Sequence, residues 1–125
     1  MLNAAQHVVG PLERAEAIGL GPKDDLTERR REIEDAVRRV DAGAGVVILT
    51  DLFGGTPSNL AIATMARFDG VDVVTGANLP MMMKLAKSRT ADRREAVEAA
   101  VAAGRRYILD ATELLSGGGD GSDQA

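Results

Sequence analysis

Gly45-Val46-Val47-Ile48-Leu49-Thr50-Asp51-Leu52-Phe53-Gly54-Gly55-Thr56-Pro57-Ser58-Asn59 is the stretch on which the fold turns. Its first six residues form an unbroken, mostly β-branched apolar run. Such a run suits a strand covered on both faces, as in the interior of a parallel sheet. Asp51 stands where that strand ends. Leu52-Phe53-Gly54-Gly55 then makes a tight turn, and Thr56-Pro57 reads as the N-cap and first residue of a helix.

The flanking sequence repeats the alternation. Upstream, Leu26, Ile33, Val37 and Val40 fall on one helical stripe, with Asp24 or Asp25 as the cap and Gly43 as the stop. Before that, Ala15–Leu20 alternates weakly and reads as a strand, and Asn3–Val9 as the end of a helix closed by Gly10-Pro11. Downstream, Leu60, Ile62, Ala63 and Met65 give the second helix its apolar surface. Val71–Thr75 is the next strand, a Met-rich helix runs from Met81 towards Ser88, and an Ala-rich helix spans Asp92–Tyr107. Ile108–Leu115 fits a short strand or a helical turn equally well. The expectation is an α/β domain over residues 1–115, three-layered, with a central, mainly parallel sheet and helices on both faces. Residues 116–125, rich in Gly, Ser and Asp, read as a disordered tail.

Composition narrows the function. The 125 residues carry 15 Lys+Arg against 19 Asp+Glu, a net charge of −4, which argues against a nucleic-acid partner. Aromatics are 2%, so there is no stacking platform for single strands. The absence of cysteine and the single histidine, His7, exclude thiolate chemistry and His- or Cys-rich metal sites. No segment approaches the ~20 apolar residues of a membrane span, and the N-terminus lacks a secretory layout; a cytoplasmic protein is expected.

In such sheets ligands sit beyond the carboxyl ends of the strands, which directs attention to Asp51–Asn59 and Thr75–Pro80. Gly54 and Gly55 permit a tight turn with close backbone approach. The free amides and positive dipole end of the following helix favour an anion, most often phosphate. Thr56 and Ser58 add hydroxyl donors at the rim, and Asn78 is placed to line the same crevice. A carboxylate beside an anion site requires a cation or a hydrogen-bond donor between them; a histidine would serve, one ring nitrogen held by Asp51 and the other bearing the phosphoryl group. An ordinary capped strand-to-helix turn accounts for the same residues, and nothing here matches a nucleotide P-loop or a dinucleotide fingerprint.

The two motifs Asp51–Asn59 and Thr75-Gly76-Ala77-Asn78-Leu79-Pro80-Met81 together resemble the enzyme IIA domain of the mannose family of bacterial phosphotransferase systems, over about Leu2–Leu115. The resemblance implies a phosphoryl carrier that accepts phosphate from the histidine phosphocarrier HPr and passes it to an enzyme IIB partner, or signals through its phosphorylation state. It also implies a homodimer, with no metal or organic cofactor. Carried over by position, Asp51 orients the active histidine, Thr56 is the hydroxyl beside the phosphoryl group, and Gly54-Gly55 is the close-approach turn.

One departure stands out. In that family the phosphorylated histidine follows the first strand, in a Thr-His-Gly-like turn. This sequence resembles the family only from within the next helix, so strand and histidine, about 15–20 residues, are not in it. His7 falls near the far end of that helix and is not assigned as the acceptor. A start assigned too far downstream is the preferred explanation. The alternative is a non-catalytic, dimeric interaction module of the same fold. The basic residues Arg29–Arg31 and Arg38-Arg39 interleave with acids and read as a solvated, ion-paired face. Met81–Met83 should place one or two side chains in the core or a dimer seam, and Lys84, Lys87 and Arg89 form a small positive cluster near the crevice.

Overall fold

Asp25 opens the first helix, α1 (Leu26–Val40), its side chain accepting a hydrogen bond from the Thr27 amide. The computed structural model describes residues 14–21, 23–89 and 92–117; the expected N-terminal helix, His7 and most of the expected tail lie outside them. After α1 come β1 (Val46–Leu49), α2 (Thr56–Arg67), β2 (Val71–Val74), α3 (Leu79–Lys87), α4 (Arg93–Arg106) and the short α5 (Ala111–Ser116). The α/β class read from the sequence is the class observed.

β1 and β2 pair in parallel, Val46 opposite Val71 through Leu49 opposite Val74, with α2 as the crossover between them. Side chains alternate across a strand, so Val47, Leu49 and Val74 share one face. On that face Val74 packs with Met81 of α3 and Val97 and Ala100 of α4 as the buried core. The opposite face is turned to α2, which packs on α1. Helices therefore cover both faces, and the carboxyl ends of both strands emerge together.

The structure corrects several expectations. Ala15–Leu20 is not a strand: among the described residues the sheet has two strands only. Apart from Ile18 this segment lacks β-branched residues, and its side-chain anchor is Glu16, held to Arg39 of α1 at 2.8 and 3.0 Å. β1 is not covered all round; all four of its residues are only half-buried. Helix α1 stops at Asp41 rather than through Gly43, because the Asp41 carboxylate accepts the amides of Gly43 and Gly45 at 2.7 and 3.1 Å. On α2 the buried stripe is Ser58, Ala61 and Thr64, and Met65 is exposed. Small residues let this helix approach closely, so the larger Leu60 and Ile62 are displaced to its flanks and are only half-buried. Ile108 and Leu109 join no strand, and the segment ends in α5.

Arg93, at the start of α4, ties the amino ends of the strands together. Its Nε donates to Asp72 at 2.8 Å and its Nη1 to the carbonyl of Ala44 at 3.0 Å, while Arg94 donates to the other Asp72 oxygen at 3.0 Å. The expected ion-paired face of α1 is present: Arg29 meets Asp24 and Glu32, Arg38 meets Asp35, and Arg39 meets Glu16.

The Glu16 pair has a pH consequence. The hydrogen bond from Arg39 holds the Glu16 carboxyl below its ordinary value, so the contact is complete above the ordinary carboxyl range and is lost as pH falls through the depressed value. Both groups are exposed, so the effect is local. On acidification, the protection of the amides over residues 15–20, relative to their intrinsic exchange rates, is expected to fall before that of Ile48 in β1. An Arg39→Ala variant with an unchanged acid response would show that this pair does not hold the segment.

Candidate functional site

Thr50 closes β1 and is nearly buried; its hydroxyl donates to the Leu52 carbonyl at 3.0 Å, which folds the chain back just past Asp51. The carboxylate at 51 is thereby left at the mouth of a groove of about 700 Å³ that runs along β1. Gly54 and Gly55 carry φ of +87° and +91°, a region costly for residues with a Cβ. Among the described residues no atom lies within 4 Å of where a Cβ would stand at either, so the glycines serve the backbone path.

Gly55, not Thr56, is the N-cap of α2, and as a glycine it brings no side-chain cap to this end. Thr56 is instead the first helical residue, exposed, with Pro57 second. The expected capping role of Thr56 is thus corrected, because the positive φ of Gly55 starts the helix one residue earlier. Helix geometry leaves the first amides without intrahelical partners; Pro57 has none to offer, so those of Thr56 and Ser58 remain. Of these only Thr56 is exposed, and its amide, with the helix dipole, makes the turn favourable for an anion.

Ser58 is not a rim hydroxyl. It is fully buried, and its Oγ donates to the Gly55 carbonyl at 3.3 Å, bracing the turn from beneath. Asn78 is not directed to the crevice either. Its carbonyl oxygen accepts the Met81 amide at 3.1 Å, capping α3, while its Nδ2 donates to the Gly104 carbonyl of α4 at 3.0 Å. Asn78→Ala is accordingly expected to destabilise the domain by about 1–2 kcal/mol, one cap and one inter-helix bond being lost. Urea denaturation measures this; an unchanged midpoint would mean the bridge contributes nothing.

Asp51, Gly54, Gly55 and Thr56 are all exposed on the segment that joins the carboxyl end of β1 to α2. Thr50 was not singled out from the sequence, although a hydroxyl directly before the strand-end carboxylate was the available signal. Leu52 and Phe53 add an apolar rim, 69% and 79% exposed. Met81 fills the core as expected of one of the three methionines, and Met82 lines the groove. Among the described residues no cluster of three acidic or histidine side chains could hold a metal, and no helix is long and apolar enough to cross a membrane.

Residues 1–103 match the family model EIIA-man, described as PTS system fructose IIA component. The PTS system mannose-specific EIIAB component of Escherichia coli K12 is 27% identical over 110 residues, covering 86% of this chain and 34% of that protein. The PTS system sorbose-specific EIIA component of Lacticaseibacillus casei is 31% identical over 83 residues, 66% of this chain and 59% of that protein. The chain thus spans about a third of the E. coli relative's length. Among solved structures, a phosphotransferase system component EIIA from Streptococcus agalactiae aligns with a TM-score of 0.79 at 24% identity, over 89% of this chain and 86% of that one. A PTS IIA protein associated with the fucose utilization operon of Streptococcus pneumoniae aligns with a TM-score of 0.79 at 29% identity, over 92% and 85%. The chain belongs to the EIIA-man family of sugar phosphotransferase system IIA components.

Proposed function

We propose that this domain is a cytoplasmic, homodimeric phosphoryl carrier that takes phosphate from HPr onto a histidine and passes it to an enzyme IIB partner. One observation carries the reading: a strand-end carboxylate and the amino end of a helix share one glycine turn. Alone, the carboxylate would repel the anion that the helix end attracts. An imidazole between them reconciles the two. Asp51 accepts one ring N–H, so the other nitrogen presents its lone pair. That nitrogen forms a P–N bond as the phosphorus–nitrogen bond to the donor imidazole breaks. The Thr56 amide and hydroxyl, both exposed, receive the phosphoryl oxygens. Positioning and charge stabilisation then do most of the catalysis, as in phosphoryl transfer generally.

The acceptor in this reading is a histidine supplied from outside the 125 residues, not His7. Phosphoenolpyruvate, enzyme I and HPr are incubated with the 125-residue chain and, in parallel, with a protein that includes the in-frame upstream codons. An acid-labile phosphoryl adduct on an upstream histidine is expected in the second case and none in the first. Labelling of His7, or no labelling of either protein, overturns the proposal; an in-frame stop directly upstream favours a non-catalytic interaction module.

A further inference from the structure

From Asp51 to Gly54 the chain passes the mouth of the groove on a single tie. Among the described residues, the bond from the Thr50 hydroxyl to the Leu52 carbonyl, 3.0 Å long, is the only hydrogen bond this stretch makes. The next anchor is Gly55, whose carbonyl accepts the Ser58 hydroxyl at 3.3 Å and the Asn59 amide at 3.1 Å. Asp51, Leu52, Phe53 and Gly54 are all exposed, so packing does not hold them. Thr50, by contrast, is fixed. Its amide donates to the Val74 carbonyl at 3.0 Å and its carbonyl accepts the Ala77 amide at 2.9 Å, so it joins the ends of both strands.

The residue type at 50 is informative. Val46-Val47-Ile48-Leu49 is wholly apolar, and a valine at 50 would extend it with the same β-branched shape. A hydroxyl in so nearly buried a place is costly unless it is hydrogen-bonded. Its bond goes to neither strand but to the loop two residues on. The ring that this bond closes contains the Asp51 backbone, so it restricts the rotations on either side of that residue. Leu52 is exposed, and water would serve its carbonyl almost as well. The bond therefore adds little to stability and much to where the loop lies.

We infer that Thr50 is a positioning residue: by closing that ring it holds the Asp51 carboxylate in one place before any ligand arrives. The inference rests on the proposed carrier function for what Asp51 orients, the acceptor imidazole. The tie between Thr50 and the loop does not depend on that function. A carboxylate already in place raises the rate because the loop need not be ordered during the reaction. Thr50 touches no reacting atom and acts only through Asp51.

Two measurements test it. In the 125-residue chain, nitrogen-15 relaxation should give Leu52 and Phe53 amide order parameters of about 0.85, falling below about 0.6 in Thr50→Val. Thr50→Ser, which keeps the donor, should restore them, and Thr50→Ala, which removes it by another change of shape, should match Thr50→Val. Protection of the Ile48 amide checks the fold of each variant. In the protein that includes the in-frame upstream codons, single-turnover transfer from phosphorylated HPr is then measured. Thr50→Val should slow it about 10-fold, less than the roughly 100-fold that a misplacement of about 1 Å can cost, and Thr50→Ser should recover it. In an Asp51→Asn background Thr50→Val should slow transfer no further, because nothing is left to position. A merely structural role would slow it by the same factor in both backgrounds. Equal factors overturn the inference. So do unchanged order parameters in Thr50→Val, a loop already mobile in the parent, or a loosened loop with transfer unaffected. A parent that HPr does not phosphorylate counts against the carrier reading, while loosening by Thr50→Val still shows the tie to the loop.

Discussion

Gly45→Ala is expected to destabilise the domain by about 2–6 kcal/mol, a large share of a small domain's total. Gly45 has φ +90°, and a Cβ there would stand 2.2 Å from the Gly70 carbonyl oxygen and 2.2 Å from Nη1 of Arg93. The first cost is backbone strain, about 1–3 kcal/mol for a residue held in a region only glycine enters freely. The second is overpacking, about 1–3 kcal/mol, because the obstructing oxygen is backbone and also accepts the Val46 amide that begins the β1–β2 ladder. Arg93 cannot swing aside without releasing Asp72 and the Ala44 carbonyl. Gly43→Ala provides the comparison. Gly43 has φ +110° but nothing among the described residues within 4 Å of its Cβ position, so strain alone acts there, about 1–2 kcal/mol. Urea denaturation of the two variants separates the terms: the midpoint of Gly45→Ala should fall further at unchanged slope. Equal losses would show that the Arg93 tie yields readily and does not fix the sheet.

The contrast between these glycines shows where sequence reading ends. The alternation of β1, α2, β2 and α4 was legible because each has a clear period or cap, and both Asp92 and the β-branched run at 46–50 announce themselves. Ala15–Leu20 was misread because weak alternation looks the same in a strand and in a segment strapped to a helix. Only the long-range pairing of Glu16 with Arg39, 23 residues apart, decides between them. At the site, the strand-end carboxylate and the glycine turn were visible, since Asp, Gly-Gly and Thr-Pro each have a local geometric meaning. The roles of Ser58 and Asn78 were not. Both are small polar residues next to a helix start, where a hydroxyl or amide can face a ligand or satisfy backbone equally well. Burial chose the second: Ser58 lies beneath the turn and Asn78 bridges α3 to α4. The groove along β1 was illegible because Ile33 and Val37 of α1, which line it, lie at least 45 residues in sequence from Met82 and Leu85 of α3, which line it too.

Asp51→Asn is expected to lower the rate of phosphoryl transfer about 10–100-fold, the usual loss when the carboxylate partner of a functional imidazole is removed. The substitution keeps the shape and removes the charge. An amide can still accept a ring N–H, but it stabilises an imidazole that gains positive character less well, and its own N–H₂ can hold the ring in the wrong orientation. Because Asp51 is exposed and takes no part in the ion pairs of the described residues, the melting temperature should stay within about 1–2 °C of the parent, as for surface substitutions of under 0.5 kcal/mol. This separation of stability from transfer gives the variant its diagnostic value. The measurement is single-turnover transfer from phosphorylated HPr to the protein that includes the in-frame upstream codons, with Asp69→Asn as an exposed acidic control away from the groove mouth. Loss of general acidic charge affects both variants alike, whereas loss of an imidazole partner affects only the first. If Asp51→Asn transfers phosphate as fast as the parent, the carboxylate at the end of β1 does not hold the acceptor, and the glycine turn is left as an anion site without its partner.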